Sequence, residues 1–334
     1  MGKRAWHVGA AGSLAALSLL ATAAAADDNR AWLDSIRTSK ALQQALDTAV
    51  HRLVAADPAL DESHLRIAVV DLDAEAGPRL AHRHGDTPVY PASVVKFVYL
   101  MATYAWVDRG RLEIDSELGR QLDRMIHASS NKATQKVVRR LTGTEAGPAL
   151  PADRYAEFRD KRLSIKRWLA TIGIDDLHCL HPTYDGDGDL HGRDRQLLED
   201  AGVAGGLPAR GGEFPNRQAM TASGTARLLA LLATGRALSP RSSAEVRRRM
   251  HRDVSDQPYL RQRIAGGVAR CDRSARVDSK TGTYGRIIAD AGIVRNAAGH
   301  EMVIVAFIDS APRYRGSFIA DLSEAMTRSV LGCP

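Results

Sequence analysis

The chain has 334 residues, 44% hydrophobic and 25% charged, with 46 Lys and Arg against 39 Asp and Glu for a formal net charge of +7. That apolar content excludes a disordered chain and suffices for one large core or two smaller ones. The positive balance comes without a zinc-finger, RRM-like or aromatic-interleaved basic motif, which argues against a nucleic-acid partner, and the spacing of the three cysteines does not support a cysteine-based metal site.

Residues 1–26 have the pattern of a secretory signal: Lys3 and Arg4, an apolar run from Val8 to Leu20, then Ala24-Ala25-Ala26 before Asp27. The run is short for a membrane span, no cysteine lies near the cleavage point to take a lipid, and no later stretch is apolar enough to be transmembrane. A periplasmic or secreted protein without an integral membrane segment is expected. In an oxidising compartment Cys179, Cys271 and Cys333 give one pair and one free thiol, with Cys271–Cys333 the favoured pair.

Helical periodicity runs from Arg30 to Ala55 and ends at Asp57-Pro58. Leu65 to Asp71 reads as a strand, and Arg79 to His82 as a second strand beyond a turn at Ala76-Gly77-Pro78. Helices are expected at Ser93–Asp108, Ile114–His127 and Ala133–Leu141, the last closed by Gly143. Residues 144–163 read as a loop, Ile165–Ile172 as a helix, and 178–216 as a long aperiodic loop rich in Gly, Asp and His; such loops are usually functional. Thr221–Leu232 and Ser239–Met250 read as helices, the second with a serine cap and a proline in its first turn. The basic run from Arg247 to Arg252 reads as a solvated helix face. Strands return at Ala275–Lys280, Arg286–Val294 and Met302–Asp309, before a last helix at Ser317–Leu331.

Strands split by an all-helical block predict an α/β (α+β) fold. A discontinuous α/β domain, 27–90 plus 256–334, would carry an inserted all-helical domain, 91–255, with a cleft at the junction. Three polar segments fall there. Ser93 and Lys96, three apart, share one face at the start of a helix, where free N–H groups and the helix dipole favour a nucleophile. Ser129-Ser130-Asn131 lies between two helices, and Lys280-Thr281-Gly282-Thr283 on the first strand after the block. An acyl-transfer site needs these types: an activated hydroxyl, a proton shuttle to the leaving nitrogen, a cation for a carboxylate, and N–H donors for an oxyanion. Gly282 leaves a strand edge open to substrate. Each motif alone is weak, and Ser129-Ser130-Asn131-Lys132 is itself a second Ser-x-x-Lys.

In this order, Ser-x-x-Lys, Ser-x-Asn and Lys-Thr-Gly resemble the signature set of class A serine β-lactamases and the penicillin-recognising serine hydrolases. The resemblance spans nearly the whole chain after residue 26. It implies an antiparallel five-stranded sheet flanked by helices with an inserted all-helical domain, of β-lactamase/transpeptidase type, with an omega-type loop near 178–216. It implies Ser93 as acylated nucleophile, Lys96 as proton acceptor or relay, and Ser129 as proton donor to the leaving nitrogen. Asn131, Lys280, Thr281 and Gly282 would bind substrate, the backbone N–H groups of Ser93 and Thr283 would form the oxyanion hole, and Arg286 would add a positive charge on the neighbouring strand. No cofactor or metal is implied, and a monomer is expected.

One element of the family pattern is missing. Class A enzymes carry Glu-x-x-Leu-Asn in the omega loop, the glutamate activating the deacylating water, and no carboxylate between Cys179 and Pro215 is followed by Leu-Asn. Glu199, Asp185, Asp187 and Asp189 are the candidate substitutes; without one, deacylation would be slow. His82-Arg83-His84-Gly85-Asp86 and Asp185-Gly186-Asp187-Gly188-Asp189 each match part of a zinc or calcium pattern but lack the remaining ligands, and His178, Cys179 and His181 read as polar loop packing. Three readings follow: a β-lactamase, a D-alanyl-D-alanine peptidase or transpeptidase, or a penicillin-binding protein without efficient turnover. The substrate is a small β-lactam or a D-Ala-D-Ala peptide in each.

Overall fold

The structure is a computed structural model that describes residues 27–73, 77–184, 191–207, 215–309 and 317–334. The proposed signal, 1–26, and Asp185, Asp187 and Asp189 lie outside the described residues. Residues 27–35 are helical (α1), followed by β1 (Arg37–Thr38), α2 (Lys40–Ala56), β2 (Leu65–Asp71) and β3 (Arg79–Arg83). A 3-10 turn at Ala92–Val94 then runs into α3 (Val95–Asp108), α4 (Ser116–Ile126), α5 (Asn131–Thr142), α6 (Ala152–Arg162), α7 (Ser164–Thr171), α8 (Gly192–Glu199), α9 (Ala222–Ala233) and α10 (Pro240–Met250). The chain closes with α11 (Ile264–Cys271), β4 (Arg276–Tyr284), β5 (Ile287–Arg295), β6 (Glu301–Asp309) and α12 (Phe318–Val330).

The sheet has six strands in the order β1-β3-β2-β6-β5-β4. Five are antiparallel to their neighbours as expected; the sixth, β1, pairs parallel with β3 and corrects the expected all-antiparallel, five-stranded sheet. Two residues are too short for any alternation, which is why β1 left no signal. It also breaks the single helix expected over Arg30–Ala55: Ser39 caps α2 by accepting from the Leu42 N–H at 3.3 Å. Strand alternation sorts the core. Leu65, Ile67 and Val69 of β2 pack with α2, α11 and α12, whereas Ala68 and Val70 pack with the helical block, so the sheet is buried on both faces.

Helices α6, α8 and α11 lie where loops or no element were expected. Polar α6 and α8 show no apolar period, and α11 carries Gly266-Gly267, where a Cβ on Gly267 would meet the Ala320 carbonyl oxygen of α12. The basic run is solvated only in part: Arg248 is exposed and pairs with Glu245, but its neighbours turn inward. Arg247 pairs with buried Asp278 at 2.9 Å and with Glu301 at 2.7 Å, Arg249 bonds the Tyr104 hydroxyl at 3.0 Å and pairs with Asp123, and Arg252 is buried. Cys271 and Cys333 form the disulfide, tying the end of α11 to the C-terminus, and Cys179 is free and buried. No helix among the described residues is long and apolar enough to cross a membrane.

Candidate active site

Two backbone positions mark the site. Ala92 and Ser129 hold φ of +49° and +52°, a left-handed region that non-glycine residues rarely occupy. Ala92 sits in the turn that presents Ser93, which therefore stands on a 3-10 turn just ahead of α3 rather than on the helix itself. Ser129 immediately precedes Ser130, whose hydroxyl caps α5 by accepting from the Ala133 N–H at 3.2 Å. The cap holds the Ser129-Ser130-Asn131 corner against α3.

Lys96, one helical turn beyond Ser93, is fully buried and reaches across to that corner. Its Nζ donates to the Ser129 carbonyl at 2.5 Å and to Asn131 Oδ1 at 2.7 Å, and lies 3.4 Å from Ser129 Oγ. Lys280 arrives from β4 on the other side: its Nζ donates to Ser129 Oγ at 3.0 Å and to the Thr281 carbonyl at 2.7 Å. One hydroxyl is thus shared by two buried lysine Nζ atoms. Burial, then repulsion from Lys96 and Arg252, lowers the proton affinity of Lys280 well below that of a free lysine, and Asp290 opposes this.

Gly282 brings β4 against the nucleophile turn. A Cβ there would lie 3.0 Å from the Pro91 carbonyl oxygen, 3.1 Å from the Ser93 nitrogen and 3.2 Å from Val94 Cγ2. Thr281 is buried, its hydroxyl 3.3 Å from that of Tyr259, and Thr283 is exposed, accepting from Arg263 Nη2 at 3.1 Å. Asn131 is more committed than the resemblance implied: with Oδ1 on Lys96, its Nδ2 donates to the Tyr184 carbonyl at 2.8 Å. Arg286 lies in the turn after Gly285, between β4 and β5, rather than on the neighbouring strand. The Glu199 carboxylate takes a 2.7 Å bond from Arg195 on the exposed side of α8.

Several groups that motif reading missed complete the site. Arg252 joins its two sides, donating to the Ser279 carbonyl of β4 at 3.3 Å, to the Ile126 carbonyl of α4 at 2.5 Å, and lying 3.1 Å from His127 Nδ1. Asp290 is fully buried on β5, opposite Thr281, and accepts from the Ile264 N–H at 3.0 Å; burial raises its pKa. A lone Asp inside the apolar run 287–294 was the available signal.

The segment below the site is fixed by buried polar pairs. Arg162 donates to Asp194 at 2.5 Å, to the Thr144 hydroxyl at 2.8 Å and to the Leu180 carbonyl at 3.3 Å. His178 and His181 bond the side chain and the carbonyl of Asn216 respectively, the second at 2.7 Å, which is loop packing. Burial pushes the His178 pKa from 6.5 down to about 4. The folded state therefore resists a proton that the unfolded chain accepts, so this stability is present above pH 6.5 and lost as pH falls toward 4. Thermal melting followed from pH 7 to pH 4.5 is expected to show a fall worth on the order of 2 kcal/mol from this residue, and His178→Gln is expected to flatten it.

Comparisons with known proteins bear on the family and the fold. A sequence model described as "Beta-lactamase enzyme family" matches residues 117–330. No curated protein sequence matches the chain. Among solved structures, a β-lactamase from Sphaerobacter thermophilus DSM 20745 superposes with a TM-score of 0.59 at 18% identity, over 87% of this chain and 98% of that one. A β-lactamase from Xanthomonas campestris pv. campestris gives 0.59 at 16% identity, over 87% and 99%. A mutant of PBP-A, solved as its acyl-enzyme complex with penicillin G, gives 0.57 at 20% identity, over 87% and 96%.

Proposed function

Because the chain belongs to the β-lactamase enzyme family, we propose that it is an exported serine hydrolase that opens the β-lactam amide through an acyl intermediate on Ser93. The observation that carries this reading is the Ser129 hydroxyl held between the Nζ atoms of Lys96 and Lys280. In the proposed reaction Lys96, in its neutral form, accepts the Ser93 Oγ proton as the oxygen attacks the lactam carbonyl. The backbone N–H groups of Ser93 and Thr283 take the oxyanion charge, supported by the close approach of Gly282 to the Ser93 nitrogen. As the C–N bond breaks, Ser129 gives its proton to the nitrogen and is reprotonated from a neighbouring ammonium. Lys280, Thr281 and Thr283 hold the substrate carboxylate, and Asn131 positions Lys96. Water then cleaves the acyl ester and frees Ser93.

A second reading, a D-alanyl-D-alanine peptidase or transpeptidase, is favoured by a specific observation. The described acidic residues of the 178–216 segment are engaged elsewhere: Asp194 with Arg162, Glu199 with Arg195, and Asp200 with the Tyr155 hydroxyl at 2.7 Å and Arg159 at 3.4 Å. None of these is poised to activate a deacylating water. Paired assays separate the readings. Steady turnover of a chromogenic cephalosporin without D-alanine release from a pentapeptide is expected for the hydrolase; D-alanine release with penicillin as a slowly reversed inhibitor would replace it with the peptidase.

A further inference from the structure

Arg252 is a buried cation that none of the three motifs accounts for. Its own N–H donates to the Val277 carbonyl at 2.9 Å, and His251 beside it bridges to Asp278, so the residue lies along the outer edge of β4. From there all three guanidinium nitrogens are engaged by two elements. Nε donates to the Ser279 carbonyl at 3.3 Å, Nη2 to the Ile126 carbonyl at 2.5 Å, and Nη1 faces His127 Nδ1 at 3.1 Å. Ser279 immediately precedes Lys280, and Ile126 is the last residue of α4, three before Ser129. One planar fork therefore fixes both chain segments whose side chains meet at the 3.0 Å contact between Lys280 Nζ and Ser129 Oγ.

A tie between two backbone carbonyls needs donors, not a charge, and a buried charge is costly. None of the three guanidinium contacts goes to a carboxylate. The charge instead stands near two more buried cations, Lys280 and Lys96, with fully buried Asp290 on β5 as the facing anion. The charged and titratable neighbours of the guanidinium are His127 of α4, Tyr259 and Asp256 of the segment before α11, and Asp290. Those of the Lys280 amine are Lys96, Arg252 and Asp290. Packing explains the fork, but not a permanent charge beside a lysine whose proton affinity burial already lowers.

Resting on the acyl-Ser93 reading, we propose that Arg252 is a positioning residue for acylation, its fork setting the spacing of Ser129 against Lys280 and its permanent charge acting on the Lys280 amine. The fork works through Ser129, which must reach the leaving nitrogen; a displacement of about 1 Å there costs on the order of 10²-fold in rate. The charge works through Lys280: without it, the amine holds its proton to higher pH.

Two variants separate the two parts. Arg252→Gln removes the charge and keeps amide donors, whereas Arg252→Lys keeps the charge but, as a point donor, cannot span both carbonyls. Acylation of Ser93 by benzylpenicillin is followed as a second-order rate across the alkaline range, where it reports groups of the free enzyme, and is taken per folded molecule from melting curves. Both variants are expected to acylate at least about tenfold more slowly. The alkaline limb is expected to move up by about one pH unit in Arg252→Gln and to stay in place in Arg252→Lys. A tie that served stability alone would leave the limb unmoved in both. Either variant acylating at the wild-type rate, a limb unmoved in Arg252→Gln, or one moved equally in both would overturn the proposal while leaving the Ser93 reading intact. No acylation of the wild type would overturn the Ser93 reading and the proposal together.

Discussion

Lys96→Met is expected to slow acylation of Ser93 by about 10³-fold, within the range that a positioned general base contributes. Methionine fills the same volume, so the burial of the side chain is kept while the amine is lost. The amine is the group that matters: Lys96 follows the nucleophile by one helical turn, and its nitrogen has the Ser129 carbonyl at 2.5 Å, Asn131 Oδ1 at 2.7 Å and Ser129 Oγ at 3.4 Å. The variant also leaves two acceptors unpaired, at a cost of roughly 1–3 kcal/mol each. Stability and chemistry are separated by measuring acylation by stopped flow at a temperature where melting curves show the variant folded. If the loss were purely structural, the folded fraction would still acylate at the wild-type rate.

Gly282→Ala is the second large effect, about 10²-fold in acylation, comparable with the removal of one oxyanion donor. The added methyl carbon would stand 3.0 Å from the Pro91 carbonyl oxygen and 3.1 Å from the Ser93 nitrogen. Both are backbone atoms of the turn that carries the nucleophile, so neither can swing aside as a flexible side chain would. Relief comes from moving β4 away from the turn, which carries Thr283 and the Lys280 ammonium with it. Acylation measured with a penicillin at saturating concentration should fall while the melting temperature changes little. A wild-type rate in this variant would show that β4 does not contribute to the oxyanion site.

The parts legible in the sequence were those whose signal is local. Ser239-Pro240 and Gly143 each announce a helix end through one cap or one left-handed residue. Strands β2, β5 and β6 are continuous apolar runs, and the three polar motifs were visible because each sits on a few consecutive residues. What escaped is non-local. The short β1 exists because it pairs with β3, and α6 and α8 are stabilised by contacts such as Arg162 with Asp194 and Tyr155 with Asp200. Arg252 reads as one more member of a basic run until the carbonyls of Ile126 and Ser279, far away in sequence, are seen to receive it. The commitment of Asn131 to Lys96 and to the Tyr184 carbonyl has no sequence signature either, since one of its partners is a backbone atom.

The central claim is that the Ser93 oxygen is the atom acylated in this site. Incubation with benzylpenicillin, rapid acid quench and peptide mapping by mass spectrometry tests it directly. The predicted result is one penicillin mass added to the peptide containing Ser93 and no adduct in Ser93→Ala. An unmodified protein at every time point, or an adduct that persists in Ser93→Ala, would contradict it.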